Sequence, residues 1–187
     1  VNPSVAGSRR IVLVPGVLAL LPEYAGIEDP VAGLRRAAYA AVRWLVDASS
    51  VEQPIRIVAA NPGAARVAGH LLATSRMEGD FPSSTSADSG HLLVVGNGSA
   101  ARTEKAPGHL HPEAVVFDDR LDTLLRAADA EGLAALDTIL ATELWADVGA
   151  VVQAAPAFAG TKLVAVDYAE NPYGVCYRVM RWEAEQS

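Results

Sequence analysis

The tightest constraint on this chain is a pattern that occurs twice near its start: a short run of β-branched and aliphatic residues, then a segment with apolar residues at helical spacing. "RRIVLVPG" places Ile11 to Val14 ahead of a Pro-Gly stop, as a buried strand would. "EDPVAGLRRAAYAAVRWLVDASS" follows, with Asp29 placed to cap, Pro30 at the first helical position, and Val31, Leu34, Ala38, Val42 and Leu45 along one stripe. "IRIVAA" then supplies a second strand, and "NPGAARVAGHLLATSRM" a second helix capped by Asn61 with Pro62 in its first turn. Strand, helix, strand, helix implies parallel pairing through right-handed crossovers.

The remainder extends this plan. Residues 78–90 are small and polar and form a mobile connection to the strand "HLLVVG". The Ala- and Leu-rich stretch from Asp118 to Ala154 carries two or three helices. "TKLVAVDY" and "GVCYRVMRW" are strands joined by an Asn-Pro turn, a hairpin at one edge of the sheet. The expected architecture is one domain over residues 1–187, a three-layer α/β/α sandwich around a mixed, mostly parallel sheet.

Composition narrows the function classes. With 51% hydrophobic residues the chain has the apolar content for a sizeable core. A formal charge of -7, from 22 acidic against 15 basic residues, disfavours nucleic acid and anionic lipid as partners. The apolar runs fall short of the roughly 20 residues that cross a bilayer. The single cysteine, Cys176, excludes an internal disulfide and a Cys-rich zinc site; with no secretory leader in view, the expected compartment is the cytoplasm. A small-molecule ligand is the expected partner, and homo-oligomerisation is left open.

Ligands of open α/β sheets bind in the crevice at the carboxyl ends of the strands. Four loops meet that description: "PGV" at 15–17, "NPG" at 61–63, "GNGS" at 96–99 and "YAENPY" at 168–173. The third leads into the densest polar block of the chain, "GNGSAARTEKAPGHLHPEAVVFDD". Two readings of its start stay open. Backbone N–H groups of the glycine turn could cradle an anion, with Arg102 and Lys105 adding charge. Alternatively, Gly96 and Gly98 make a tight turn while Arg102 and Glu104 pair to fix the loop. No Gly-Lys-Ser/Thr phosphate loop occurs, and Ser99 lacks the Gly-x-Ser-x-Gly setting and the nearby histidine of an activated nucleophile. His109 and His111 could both project from one side of an extended segment as metal ligands, or be surface histidines of a polar loop. His70 in a helix and His91 at a strand start read as structural or exposed, and Cys176 as an inert thiol. Trp44 and Trp145 are candidate core anchors or interface aromatics, and Tyr173 and Tyr177 pack or line a pocket edge.

In order and spacing, these blocks resemble the LigB-type class III extradiol ring-cleavage dioxygenases, especially their short actinobacterial branch. The resemblance rests on "LVPGVLALLPEYAG", the first helix, the second strand, "GNGSAARTEKAPGHLHPEAVVFDD" and "VDYAENPYGVCYRVMRW", and covers most of the chain. It implies a LigB-like fold and a catechol-opening Fe(II) centre held by two histidines and a glutamate. Residue by residue, the implied ligands are largely missing. The first histidine falls at Gly16, and the second in the segment Ala60, Asn61, Pro62, Gly63. The acid/base histidine falls at Ala100, with Asn97 in place of the acid of that block. Glu170 alone matches a ligand position. One carboxylate does not hold Fe(II) for ring cleavage, so no such activity and no cofactor are expected.

Two function classes follow. The first is a LigB-like protein without its iron site, serving as a small-molecule-binding or interaction module. The second is an enzyme of altered chemistry, with Glu170 as base or ligand and Arg102, Thr103, Glu104 and Lys105 holding an anionic or aromatic substrate. The pocket residues they share are Gly16, Asn61, Asn97, Ser99, Arg102, Thr103, Glu104, Lys105, Glu170 and Tyr173. A metal centre from His109, His111 and Glu170 is the weaker alternative.

Overall fold

A computed structural model describes residues 8–24, 29, 31–50, 53–75 and 90–184. These form a mixed α/β fold around a five-stranded sheet of order β2-β3-β1-β5-β4. Strand β1 (Arg10–Val14) and β2 (Ile55–Ala59) each run parallel to β3 (His91–Val95) between them, while β5 (Tyr177–Ala184) runs antiparallel to both β1 and β4 (Thr161–Glu170). The sheet is thus half parallel and half antiparallel in its pairings, rather than mostly parallel.

Strand β3 shows why its sequence is an unbroken apolar run. All five of its residues are buried because helices cover both faces of the sheet at this point. Ile11, Leu13, Leu92 and Val94 face one cluster, completed by α3 (Ala114–Ala127), α4 (Ala130–Ala134), α5 (Thr138–Glu143) and α6 (Gly149–Phe158). Val12, Val14, Leu93 and Val95 face the other, completed by α1 (Ala32–Val46) and α2 (Pro62–Ser75). Each large apolar side chain so buried stabilises the fold by about 1.5–3 kcal/mol relative to exposure. Trp182 anchors the first cluster: its ring meets Phe158 edge-on at 4.9 Å, and its indole N–H donates to the Leu125 carbonyl at 2.9 Å. Of the two tryptophans singled out from the sequence, Trp44 is half-buried beneath the Arg10 and Arg181 guanidiniums, and Trp145 is 61% exposed.

Several boundaries differ from the sequence expectation. Helix α1 begins at Ala32 with Val31 as its N-cap. Asp29 still anchors its entry, accepting the Val31 N–H and pairing with Arg35, while Pro30 lies outside the described residues. So does the connection read at 78–90, apart from Gly90. The Ala/Leu-rich stretch begins four residues earlier, at Ala114, and splits into four helices, the second and third of them capped by the Asp129 and Asp137 carboxylates. Strand β5 starts at Tyr177 rather than Gly174, since Pro172–Gly174 close a 3-10 turn in which Tyr173 and Gly174 are both left-handed, φ 57° and 74°. Among the described residues, no helix is long and apolar enough to cross a membrane.

Candidate functional site

The parallel strands β1, β2 and β3 end side by side, so the loops after them share one rim of the sheet. Gly16, two residues past β1, lies against the first turn of α2: a Cβ there would come within 3.0 Å of the Ala64 Cβ and 3.1 Å of Val95 Cγ1. Asn61 caps α2, its Oδ1 accepting the Ala64 N–H at 2.8 Å. Its amide nitrogen donates to Asp147 Oδ2 at 2.9 Å. Asn97, after β3, exchanges two backbone hydrogen bonds with Asp147 at 2.9 and 3.0 Å, while its own amide donates to the Gly98 carbonyl.

Two of the sequence candidates, Asn61 and Asn97, therefore meet around a residue that sequence reasoning missed, while Gly16 packs against Ala64 and Val95. Asp147 sits between α5 and α6 in "LWADVG". Burial raises its carboxyl above the usual range, and the Asn61 amide offsets this only in part. With the Asn61 amide on it, the Asp147 carboxyl stands at the strand ends as a hydrogen-bond acceptor.

The Gly-Asn-Gly-Ser block does different work. Ser99 is fully buried, and its N–H and its hydroxyl both donate to the Asp118 carboxylate at 2.7 Å. Arg102 completes the cluster, donating to the same carboxylate at 2.8 Å. The expected Arg102–Glu104 pair is not formed; a buried carboxylate with two further donors outcompetes a solvated neighbour. Thr103, Glu104 and Lys105 are exposed. The anion-cradle reading also falls, because the N–H groups of Gly96, Asn97, Gly98, Ser99, Ala100 and Arg102 all donate within the protein. Their acceptors are Val14, Asp147, Cys176, Asp118, Leu144 and Gly174 in turn, which ties the block to β1, to α3, to the segment after α5 and to the chain ahead of β5.

Gly98 permits that attachment: a Cβ there would stand 2.6 Å from Asp118 Oδ1 and 2.7 Å from the Cys176 sulfur. Burial, then the neighbouring Asp118 charge, pushes the Cys176 thiol up to about 12. One helical turn beyond Asp118, Asp122 accepts from Arg178 at 2.8 Å and from Arg126. Burial alone would raise the Asp122 carboxyl, but these two guanidiniums more than offset it and hold it below the usual range. Helix α3 is thus clamped twice, by Arg102 from the motif block and by Arg178 from β5.

The remaining candidates do not join the strand-end group. Glu170 lies at the exposed end of β4 opposite Tyr177, on the face carrying Tyr168, whose hydroxyl is pushed up to about 12 by burial and then by the Glu170 charge. Tyr173 is 63% exposed. His109 is exposed, and His111 Nδ1 accepts the Glu113 N–H at 3.3 Å. Among the described residues no three His, Cys, Asp or Glu side chains gather as a metal-holding group, so His109, His111 and Glu170 do not form the alternative centre. His70 bonds Tyr39 between α2 and α1 at 2.8 Å. Beside Asn97, a hollow of about 10 Å³, room for little more than one water, lies between Gly96, Gly98, Leu13, Leu121 and Arg178. A second hollow of about 170 Å³ lies between α3 and α5, lined by Phe117, Leu136, Leu140 and Arg120.

No protein-family model matches this chain, and no curated protein sequence is significantly similar to it. The iron centre implied by the sequence resemblance can be tested on the residues themselves. Gly16 brings no donor, and a side chain there would need Ala64 and Val95 to give by a few tenths of an ångström. The Asn61 amide is spent on Ala64 and Asp147, and Ala100 is buried with only a methyl group to offer. These residues do not fit Fe(II).

Proposed function

We propose that this chain is a LigB-like protein of three-layer α/β/α architecture that has lost its Fe(II) ligands and its acid/base histidine. It binds a small molecule at the carboxyl ends of its parallel strands and does not cleave aromatic rings. The observation that carries this reading is Gly16, which brings no donor and where a side chain would press on Ala64 and Val95. Support also comes from the mixed sheet with helix-lined cores on both faces. A ligand at this rim meets the Asp147 carboxyl and the exposed Asn61, a pair suited to a hydroxyl- or amine-bearing molecule. The altered-enzyme reading loses its anion clamp, since Arg102 is committed to Asp118.

Two measurements on the purified protein test the proposal. Elemental analysis with a catechol ring-opening assay, repeated after anaerobic loading with Fe(II), should give no stoichiometric iron and no ring-opened product. An NMR screen of hydroxyl- and amine-bearing fragments should move the amide signals of Asn61, Asn97 and Asp147. Bound iron with turnover would sink the loss of the metal site, and fragments that cluster away from the strand ends would sink the binding site.

A further inference from the structure

His91 opens β3 at the amino end of the sheet, away from the rim that carries Asn61 and Asp147, and is 1% exposed. Both of its ring nitrogens are committed. Nδ1 accepts the backbone N–H of Arg10, at the start of β1, at 3.0 Å. Nε2 lies 2.9 Å from the carbonyl oxygen of Ala48, just past the end of α1. A backbone N–H only donates and a carbonyl only accepts, so the pair of contacts assigns one state: a neutral ring with its proton on Nε2. A second proton has only Nδ1 to occupy, and there it would face the Arg10 N–H head-on.

The surroundings oppose the imidazolium on balance. From β1 the charged neighbour is Arg10, and from β5 it is Glu183. Helix α1 presents the uncharged Ala48 carbonyl, and β2 presents Ile55 directly opposite in register. Burial lowers the ring's pKa, the Ala48 carbonyl works against that, Arg10 lowers it further and Glu183 raises it; the net direction is down. Arg10 is itself a tie, donating to Glu183 at 2.8 Å and to the Trp44 carbonyl at 2.9 Å. Whatever displaces the Arg10 backbone therefore disturbs α1 and β5 together.

We propose that His91 is an acid-sensitive latch: its neutral ring ties the end of α1 and the start of β1 to the start of β3, and protonation releases this edge of the sheet. The sign follows from linkage. The folded ring titrates below the unfolded value of about 6.5, so the unfolded chain binds more protons in the interval between the two. The stabilisation is complete above about 6.5 and is lost as pH falls through the folded value. Across that interval the folded-to-unfolded ratio drops about tenfold per pH unit. Opening starts at the end of the sheet remote from Asp147.

Two variants isolate the ring. His91→Asn keeps an acceptor near the position of Nδ1 and His91→Gln a donor near that of Nε2, and neither titrates. Thermal unfolding at pH 7.5 and pH 5.0 should show a larger loss of Tm for the wild-type protein than for either variant. Native-state hydrogen exchange should show the Arg10 amide losing protection between these pH values in the wild-type protein, after correction for intrinsic rates, and keeping it in His91→Asn. Should both variants fail to fold, the wild-type ring still decides: its 15N shifts should report the Nε2–H tautomer and a titration below that of a free imidazole. A ring that titrates at or above about 6.5, parallel Tm losses in all three proteins, or an Arg10 amide indifferent to pH would overturn the latch.

Discussion

Replacing Asp118 with alanine separates a structural role for the motif block from a catalytic one. The carboxylate is fully buried and accepts three hydrogen bonds, two at 2.7 Å from Ser99 and one at 2.8 Å from Arg102. Its removal strands a largely buried guanidinium together with a buried hydroxyl and N–H. Breaking a buried ion pair from one side costs about 3–5 kcal/mol, against a total stability of about 5–15 kcal/mol for a domain. We expect Asp118→Ala to lose about 4 kcal/mol in urea unfolding at unchanged m-value, and about 10 °C in Tm for a chain of this size. Asp118→Asn keeps the acceptor for the Ser99 N–H but turns an NH2 toward Ser99 Oγ or Arg102, and should lose roughly half as much. A cycle with Ser99→Ala should give a coupling of about 0.5–3 kcal/mol. If Asp118→Ala unfolds within about 1 kcal/mol of the wild-type protein, the clamp is not what holds this block, and the structural reading of Ser99 and Arg102 fails.

Two further outcomes follow from the geometry. The Asp147 carboxyl is raised in the folded state, so its contribution to stability is greatest below the ordinary carboxylate range and is lost as pH rises through the folded value. Asp147→Asn, which retains an acceptor for the Asn61 amide, should therefore be more stable than the wild-type protein at pH 7 and gain nothing near pH 4; a deficit that grows with pH would contradict the assignment. The Cys176 thiol, 1% exposed and pushed up to about 12, should resist a thiol reagent at pH 8 in the native protein and react only as the chain unfolds in urea. Rapid native labelling would show that the packing of Gly98 against residue 176 opens freely.

The parts of this fold legible in the sequence are those set by local period and local caps. Leu34, Ala38, Val42 and Leu45 form the buried stripe of α1 because their spacing keeps them on one face, and Asn61 caps α2 because its carboxamide needs only the next turn. Partnerships across the sheet are not local. Proximity in sequence pairs Arg102 with Glu104, two residues away, whereas its partner Asp118 lies sixteen residues on. A signal for it existed: Ala114, Phe117, Asp118, Leu121 and Leu125 share the inward stripe of α3, so the carboxylate stands where period demands an apolar residue. Asp129 and Asp137 were likewise readable as caps that cut one helical stretch into several. Asp147 carried no such mark. It lies outside any helical or strand period, and long-range bonds from the Asn97 backbone and the Asn61 amide bring it to the strand ends.

A block that looks catalytic in one dimension can be kept in place by folding alone. Gly98 is required for close approach, Ser99 and Arg102 for the Asp118 carboxylate, Gly174 for its φ of 74° beside Thr103 and Ala106, and Arg178 for Asp122. Residues with such assignments say little about chemistry, because their loss unfolds the site before it silences it. A separate test lies at exposed residues held in left-handed backbone, at turns and at the end of α5. Trp145, Tyr173 and His109 hold left-handed backbone at φ 55°, 57° and 59°, a conformation that costs a non-glycine residue about 1–2 kcal/mol. Two border the motif block and one lies in it: Trp145 lies against Gly108, Tyr173 precedes Gly174, and His109 follows Gly108 in the block itself. Trp145 and Tyr173 are also exposed, so neither recovers the strain through burial. Trp145→Gly and Tyr173→Gly relieve strain without emptying a core. Each should therefore leave stability level or improved, and a loss of fragment binding in such a variant would mark the strain as serving the site.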